Sequence, residues 1–207
     1  SSLSTWRAYW QWYVLALAIP VAILTLSSMM MYMVGIDVEM NEVWSRLPSY
    51  VPMLIMITLI AGLGEEPGWR GFALPRLQRM RTPIESTLIL GLGWSLWHAP
   101  LLLLDQEFAS MGISNPWLLT AVALTTMVMI ASLAFIYTWM YNSTGSLVVM
   151  MILHGSITTA NQVLLPLSYE TSHGSQYPLI LLIITTVIII FDAIIIHRTQ
   201  GRLGMKD

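Results

Sequence analysis

Residues 59–81 run LIAGLGEEPGWRGFALPRLQRMR, and how Glu65 and Glu66 are read decides the fold. Two adjacent carboxylates follow directly on an apolar run, in a chain where charge is scarce. Of its 207 residues 56% are hydrophobic and 10% charged, with a mean hydropathy of +0.70, far outside the range of soluble globular domains. The chain is therefore expected to be all-α, a polytopic integral membrane helix bundle, and the glutamates close its second span.

A membrane-spanning helix needs about 20 mostly apolar residues at a rise of about 1.5 Å each. Six such stretches stand out, at 13–34, 50–63, 84–104, 116–141, 147–167 and 178–197. The second is short unless it continues through the glutamates, and Pro20 with Ser27 and Ser28 predicts a bend in the first. Cytoplasmic loops carry the excess of Lys and Arg. Placing both termini in the cytoplasm puts eight of the nine cations inside, all but Arg46. The charge signs of successive loops alternate accordingly, from Asp37, Glu39 and Glu42 to Arg70, Arg76, Arg79 and Arg81, then to Asp105 and Glu107, with Glu170 in a later loop. On this topology the sequon at Asn142 faces the cytoplasm and is a chance match. Residues 1–207 form one transmembrane domain. A net charge of −2 gives no reason to expect nucleic acid as a partner; membrane lipid is the expected surrounding. With no cysteine, disulfides and thiolate chemistry are excluded. The start, SSLSTWRAYW, lacks an initiator Met and is too polar and aromatic for a signal peptide, so upstream N-terminal helices are expected to be missing.

Ionisable side chains at membrane depth are costly and by default mark function. Here they are Glu65, Glu66, Glu85, His98, His154 and Asp192. Glu85 suits a helix start, where an acid is favourable, and Asp192 lies near His197 and Arg198, with which an end-of-helix acid pairs or snorkels. Two neighbouring carboxylates cannot both stay charged cheaply without a cation. Arg70 is available, and in a continuous helix Glu66 and Arg70 form an i, i+4 pair in the favourable order. Glu65, about 100° round the helix, is then left as an unneutralised carboxylate suited to act as a general base. Pro67 and Gly68 predict a kink or restart at this point. The segment beyond, GWRGFALPRLQRM, has the character of a basic amphipathic connection on the headgroups.

His154 shares a helical face with Thr158 and Asn161, while small Gly155 and Ser156 permit close helix packing. Trp94 and Trp97 either shield a cavity or simply pack. Counted along the spans, Glu65 lies toward the cytoplasmic end while His98 is about 21 Å into its own helix. They meet only if the third span tilts, starts later or bends, with Gly91 and Gly93 as bending points. A carboxylate activating water, an imidazole assisting, and imidazole or amide donors on the oxyanion would make a hydrolase. A divalent metal such as zinc, held by Glu65, His98 and His154, is the alternative, although no HExxH motif favours it.

Three ordered motifs resemble those of the CAAX prenyl protease 2 type, the CPBP family of CAAX proteases and bacteriocin-processing enzymes. EExxxR is present in full as EEPGWR, an aromatic precedes a histidine in WSLWH (Trp94, His98), and HGSITTAN supplies His154. The third motif departs from the family: position 158 is Thr where Asn or Asp is the pattern, and Asn falls at 161. The resemblance covers roughly 50–165, the catalytic core, and implies an intramembrane endopeptidase. Glu65 and His98 would activate water, His154 with Thr158 or Asn161 would hold the oxyanion, and Glu66 and Arg70 would organise the site. The implied substrate is a peptide or membrane protein, prenylated at a CAAX terminus or carrying a leader peptide. The competing readings are a non-proteolytic scaffold or bacteriocin-immunity protein of the same family, and a transporter; the latter would favour an internal repeat, which is not seen.

Overall fold

The computed structural model describes residues 10–104, 116–168, 171 and 176–205. Arg7, Asp105, Glu107, Glu170 and Lys206, which entered the loop charges above, lie outside the described residues. Six helices occupy the six predicted spans: α1 (Trp10–Met33), α2 (Met40–Leu77), α3 (Pro83–Leu104), α4 (Pro116–Thr144), α5 (Leu147–Val163) and α6 (Tyr177–Arg198). Among the described residues there is no strand. Helices α1, α2, α4 and α6 are each long and apolar enough to cross a membrane.

The second span is not short. α2 runs for 38 residues, about 57 Å at ordinary helical rise, so both its ends reach beyond an apolar core about 30 Å thick. The restart expected at Pro67 does not occur. Glu66 and Pro67 keep right-handed helical dihedrals, and the helix passes through two wide π turns, Thr58–Gly62 and Pro67–Ala73. A π turn lets the ladder be re-paired around the N–H that proline lacks, and such turns favour functional sites. The basic segment after Arg70 is therefore the last part of the same helix up to Leu77. Leu74 on it is buried, while Arg76 lies over the exposed Phe72 ring and donates to the Phe72 carbonyl.

α5 sits centrally, packed against α1 and α2, while α3 packs on α4 and α4 on α6. Buried Ile136, Met140, Met150, Leu153 and Ile180 fill the space between them. Arg46, the cation left on the opposite side by the charge count, holds the end of α5. Its guanidinium donates to the carbonyls of Gln162, Leu165 and Leu167 at 3.2, 2.6 and 3.3 Å, where free carbonyls and the helix dipole favour a cation. At the start of α3, Thr82 and Glu85 form a reciprocal capping box, each side chain accepting from the other's backbone N–H. Glu85 is accordingly structural. Asn142 of the sequon donates to the Leu203 carbonyl and so ties the chain after α6 onto the end of α4. Asp192 differs from expectation: it is 5% exposed, near Ser132 of α4, and its Oδ1 has no hydrogen-bond partner among the described residues. It points into the α4–α6 seam, so it neither pairs with Arg198 nor snorkels to the helix end.

Candidate active site

The site begins with two glycines. A Cβ on Gly62 would fall 2.7 Å from the Met151 carbonyl, and one on Gly155 would fall 3.0 Å from the Thr58 amide and closer still to the Thr58 hydroxyl. Only the absence of side chains lets α2 and α5 come this near. Glu66 stands one turn beyond Gly62 on α2, and His154 directly precedes Gly155 on α5. Nδ1 of His154 lies 2.8 Å from Glu66 Oε1 and donates to it. Nη1 of Arg70 donates to the same oxygen at 3.1 Å, the i, i+4 pair expected from sequence. Both Glu66 and Arg70 are fully buried, so the carboxylate is compensated by two donors from two helices. Such compensation is what permits buried charge at all.

The Arg70 guanidinium is also clamped between two ring faces. Its central carbon lies 4.3 Å from the Trp94 ring centroid and 4.2 Å from that of Tyr137. Nε and Nη2 have no hydrogen-bond partner among the described residues, and the stacking takes their place. Trp94 meets Tyr137, His98 and His154 edge-on, at centroid distances of 5.2, 5.6 and 5.9 Å.

Trp94 also joins the other two catalytic candidates. Its indole N–H donates to Glu65 Oε2 at 2.8 Å, and its carbonyl accepts from His98 Nδ1 at 2.9 Å. A carbonyl can only accept, so Nδ1 carries the proton and Nε2 of a neutral His98 keeps its lone pair free. The difficulty of depth disappears with the longer helix. Glu65 precedes the end of α2 by about 18 Å and Trp94 follows the start of α3 by about 16 Å, so the α2–α3 hairpin brings them level. Gly91 is a packing residue, not a bend: its Cα lies against the Ala131 carbonyl of α4, and an added Cβ would be 2.7 Å from it.

A cavity of about 200 Å³ opens beside these groups. Its polar wall holds His98, His154, Thr158, Asn161, Trp94 and Tyr137, and its opposite wall is apolar, from Ile23 and Leu24 of α1 and Ile184 and Ile188 of α6. Thr158 and Asn161 share the His154 face, as their spacing predicts. Glu66 and Arg70 stand behind the wall, supporting it. Four of the seven residues singled out in the sequence thus line the cavity, Glu66 and Arg70 back His154, and Glu65 lies outside the lining and reaches it through Trp94. Of the two tryptophans, Trp94 is buried and shields the cavity, whereas Trp97 is exposed. Tyr137 had no signal in the sequence; as one aromatic in an apolar span it is indistinguishable from packing until α4 is docked on α3. Among the described residues no three His, Asp or Glu side chains come together as a metal site. Glu65, His98 and His154 do not form such a group as they are arranged here.

Comparison with known proteins agrees with the motifs. Residues 47–160 match the family model described as type II CAAX prenyl endopeptidase, Rce1-like. The chain is also 27% identical over 145 residues to CAAX prenyl protease 2 of Methanococcus maripaludis, an alignment that takes in 70% of this chain and 51% of the relative. The chain thus spans about half the length of the curated relative it matches.

Proposed function

We propose a function from the premise that this chain belongs to the Rce1-like family of type II CAAX prenyl endopeptidases, whose model matches more than half of its length. The reading is an intramembrane endopeptidase that hydrolyses a peptide bond with water activated by Glu65 and His98. The observation that carries it is Trp94, which lines the cavity, donates its indole N–H to Glu65 and accepts from His98 Nδ1 at its carbonyl, leaving Nε2 of the cavity-lining His98 free.

Water bound there gives a proton to the carboxylate of Glu65 while its oxygen attacks the peptide carbonyl carbon. His98 Nε2 orients the water. The displaced electron pair moves to the carbonyl oxygen, where donors placed in advance are most effective. His154, oriented by Glu66, donates from Nε2 in its doubly protonated form, and Thr158 and Asn161 offer a hydroxyl and an amide on the same face. Collapse breaks the C–N bond, and the proton held by Glu65 passes to the leaving nitrogen. The half-apolar cavity suits a peptide that carries an apolar group, and a prenylated CAAX terminus is the substrate proposed. The distribution of cations supports a site in the cytoplasmic half of the membrane with both termini on that side.

The test compares full-length wild type with Glu65→Ala in lipid vesicles, following cleavage of a prenylated CAAX reporter peptide. Loss of cleavage in a variant that keeps its helical circular dichroism supports the reading; undiminished cleavage overturns it. Thr158, where the motif has Asn or Asp, favours a second reading, a scaffold or immunity protein of the same family. A folded wild type that binds peptides and cleaves none would establish that alternative.

A further inference from the structure

Tyr137 is the aromatic at the centre of the site that no motif contains. Its side chain is 1% exposed. Its ring lies 4.2 Å from the Arg70 guanidinium, 5.2 Å from Trp94 and 6.2 Å from His154, the last almost perpendicular at 87°. Fully buried Ile136 and Met140 flank it on α4, so its position is fixed by the core.

The hydroxyl is the informative atom. A buried tyrosine O–H is expected to find a hydrogen-bond partner. Among the described residues no protein group bonds to this one, and it is not among the enclosed polar atoms lacking a partner. Tyr137 does line the cavity. The partner that the hydroxyl calls for must therefore come from the cavity, as water or as a substrate oxygen. Arg70 stacked on the ring holds it in place beside the cavity. The same cavity is where the third motif is short of a donor, with Thr158 in place of Asn or Asp.

We infer that Tyr137 is a further catalytic residue, its O–H donating a hydrogen bond to the carbonyl oxygen as that atom becomes an oxyanion. No proton is transferred in this step. The phenol keeps its hydrogen throughout, water still supplies the oxygen of the new carboxylate, and Glu65 still carries the proton to the leaving nitrogen. This inference rests on the hydrolase reading above.

The test uses full-length wild type, Tyr137→Phe, Tyr137→Leu and Glu65→Ala in vesicles with the same reporter. Phenylalanine keeps the ring faces on Arg70 and Trp94 and loses only the hydroxyl. It should lower kcat by about 100-fold, the loss typical of one oxyanion donor, with KM within about twofold of wild type and an unchanged Tm. Leucine loses the stacking as well and should lower Tm. Tyr137→Phe with wild-type kcat beside an inactive Glu65→Ala would make Tyr137 a packing residue and overturn the inference alone. A Phe variant whose Tm falls along with its kcat overturns it equally. Full activity of Glu65→Ala, or no cleavage by folded wild type, removes the hydrolase reading and this inference with it.

Discussion

His154 Nδ1 on α5 and Arg70 Nη1 on α2 converge on one oxygen of Glu66, at 2.8 and 3.1 Å. That oxygen orients the imidazole and neutralises the guanidinium at once, so the two effects of its loss are separable. Glu66→Gln leaves Arg70 buried without a counter-ion and should cost about 3–5 kcal/mol of stability, read as a fall in Tm. It should also lower cleavage by about 100-fold or more through the freed His154. Adding Arg70→Met removes the uncompensated charge. The double variant should regain most of the Tm and none of the activity; recovery of both would mean that His154 is not positioned by Glu66.

The glycine contact between α2 and α5 yields a prediction with an internal control. Gly62→Ala drives a methyl group to 2.7 Å from the Met151 carbonyl, whereas nothing lies within 4 Å of a Cβ on Gly64. Overpacking of this kind costs about 1–3 kcal/mol, and the helices must part by a few tenths of an ångström where Glu66 meets His154. Gly62→Ala should lower Tm and reduce cleavage at least tenfold, and Gly64→Ala should leave both as in wild type. Equal behaviour of the two would show that the close approach does not set the site.

Much of this arrangement was legible from local pattern. Apolar run lengths placed six helices, and the spacing of Glu66 and Arg70, or of His154, Thr158 and Asn161, needs only the helical repeat. What local pattern misled on was Pro67. It implied a break, because an α-helical ladder fails there, and the wide turns that absorb it have no sequence signature of their own. The remaining gaps are tertiary. The partner of Glu65 is Trp94, 29 residues away on another helix; Asp192 is buried near Ser132 of another helix and not beside the cations nearest in sequence; Tyr137 is defined by what α3 and α5 bring to it. Glycine is a further case, since Gly91 as a bend and Gly91 as a contact surface are the same letter until α4 is in place.

Arg46 is far from the cavity, so its loss should act on stability and local opening. Its three long-range carbonyl contacts hold the end of α5, and hydrogen bonds from a charged donor are each worth about 1.5–3 kcal/mol. Because the group is only half-buried, Arg46→Gln should cost about 2 kcal/mol in total. Amide hydrogen exchange should quicken at 160–168, with kcat within about twofold of wild type. Unchanged exchange over that stretch would show that the arginine does not cap the helix.

Trp94 performs three tasks, and substitution with phenylalanine separates one of them. The indole N–H donates to Glu65 at 2.8 Å, the ring covers Arg70 at 4.3 Å, and the backbone carbonyl receives His98 Nδ1. Trp94→Phe keeps an aromatic face and the carbonyl but removes the only side-chain donor that holds the Glu65 carboxylate among the described residues. A misplaced base costs rate more than binding, because a near-attack geometry fails with displacements of about 1 Å. The variant should therefore lose roughly 10- to 100-fold in kcat, with KM and Tm close to wild type. Trp94→Ala should lose the cation-stacking face as well and lower Tm. If Trp94→Phe instead raises KM at constant kcat, the indole acts on substrate binding, and the orientation of Glu65 must come from elsewhere.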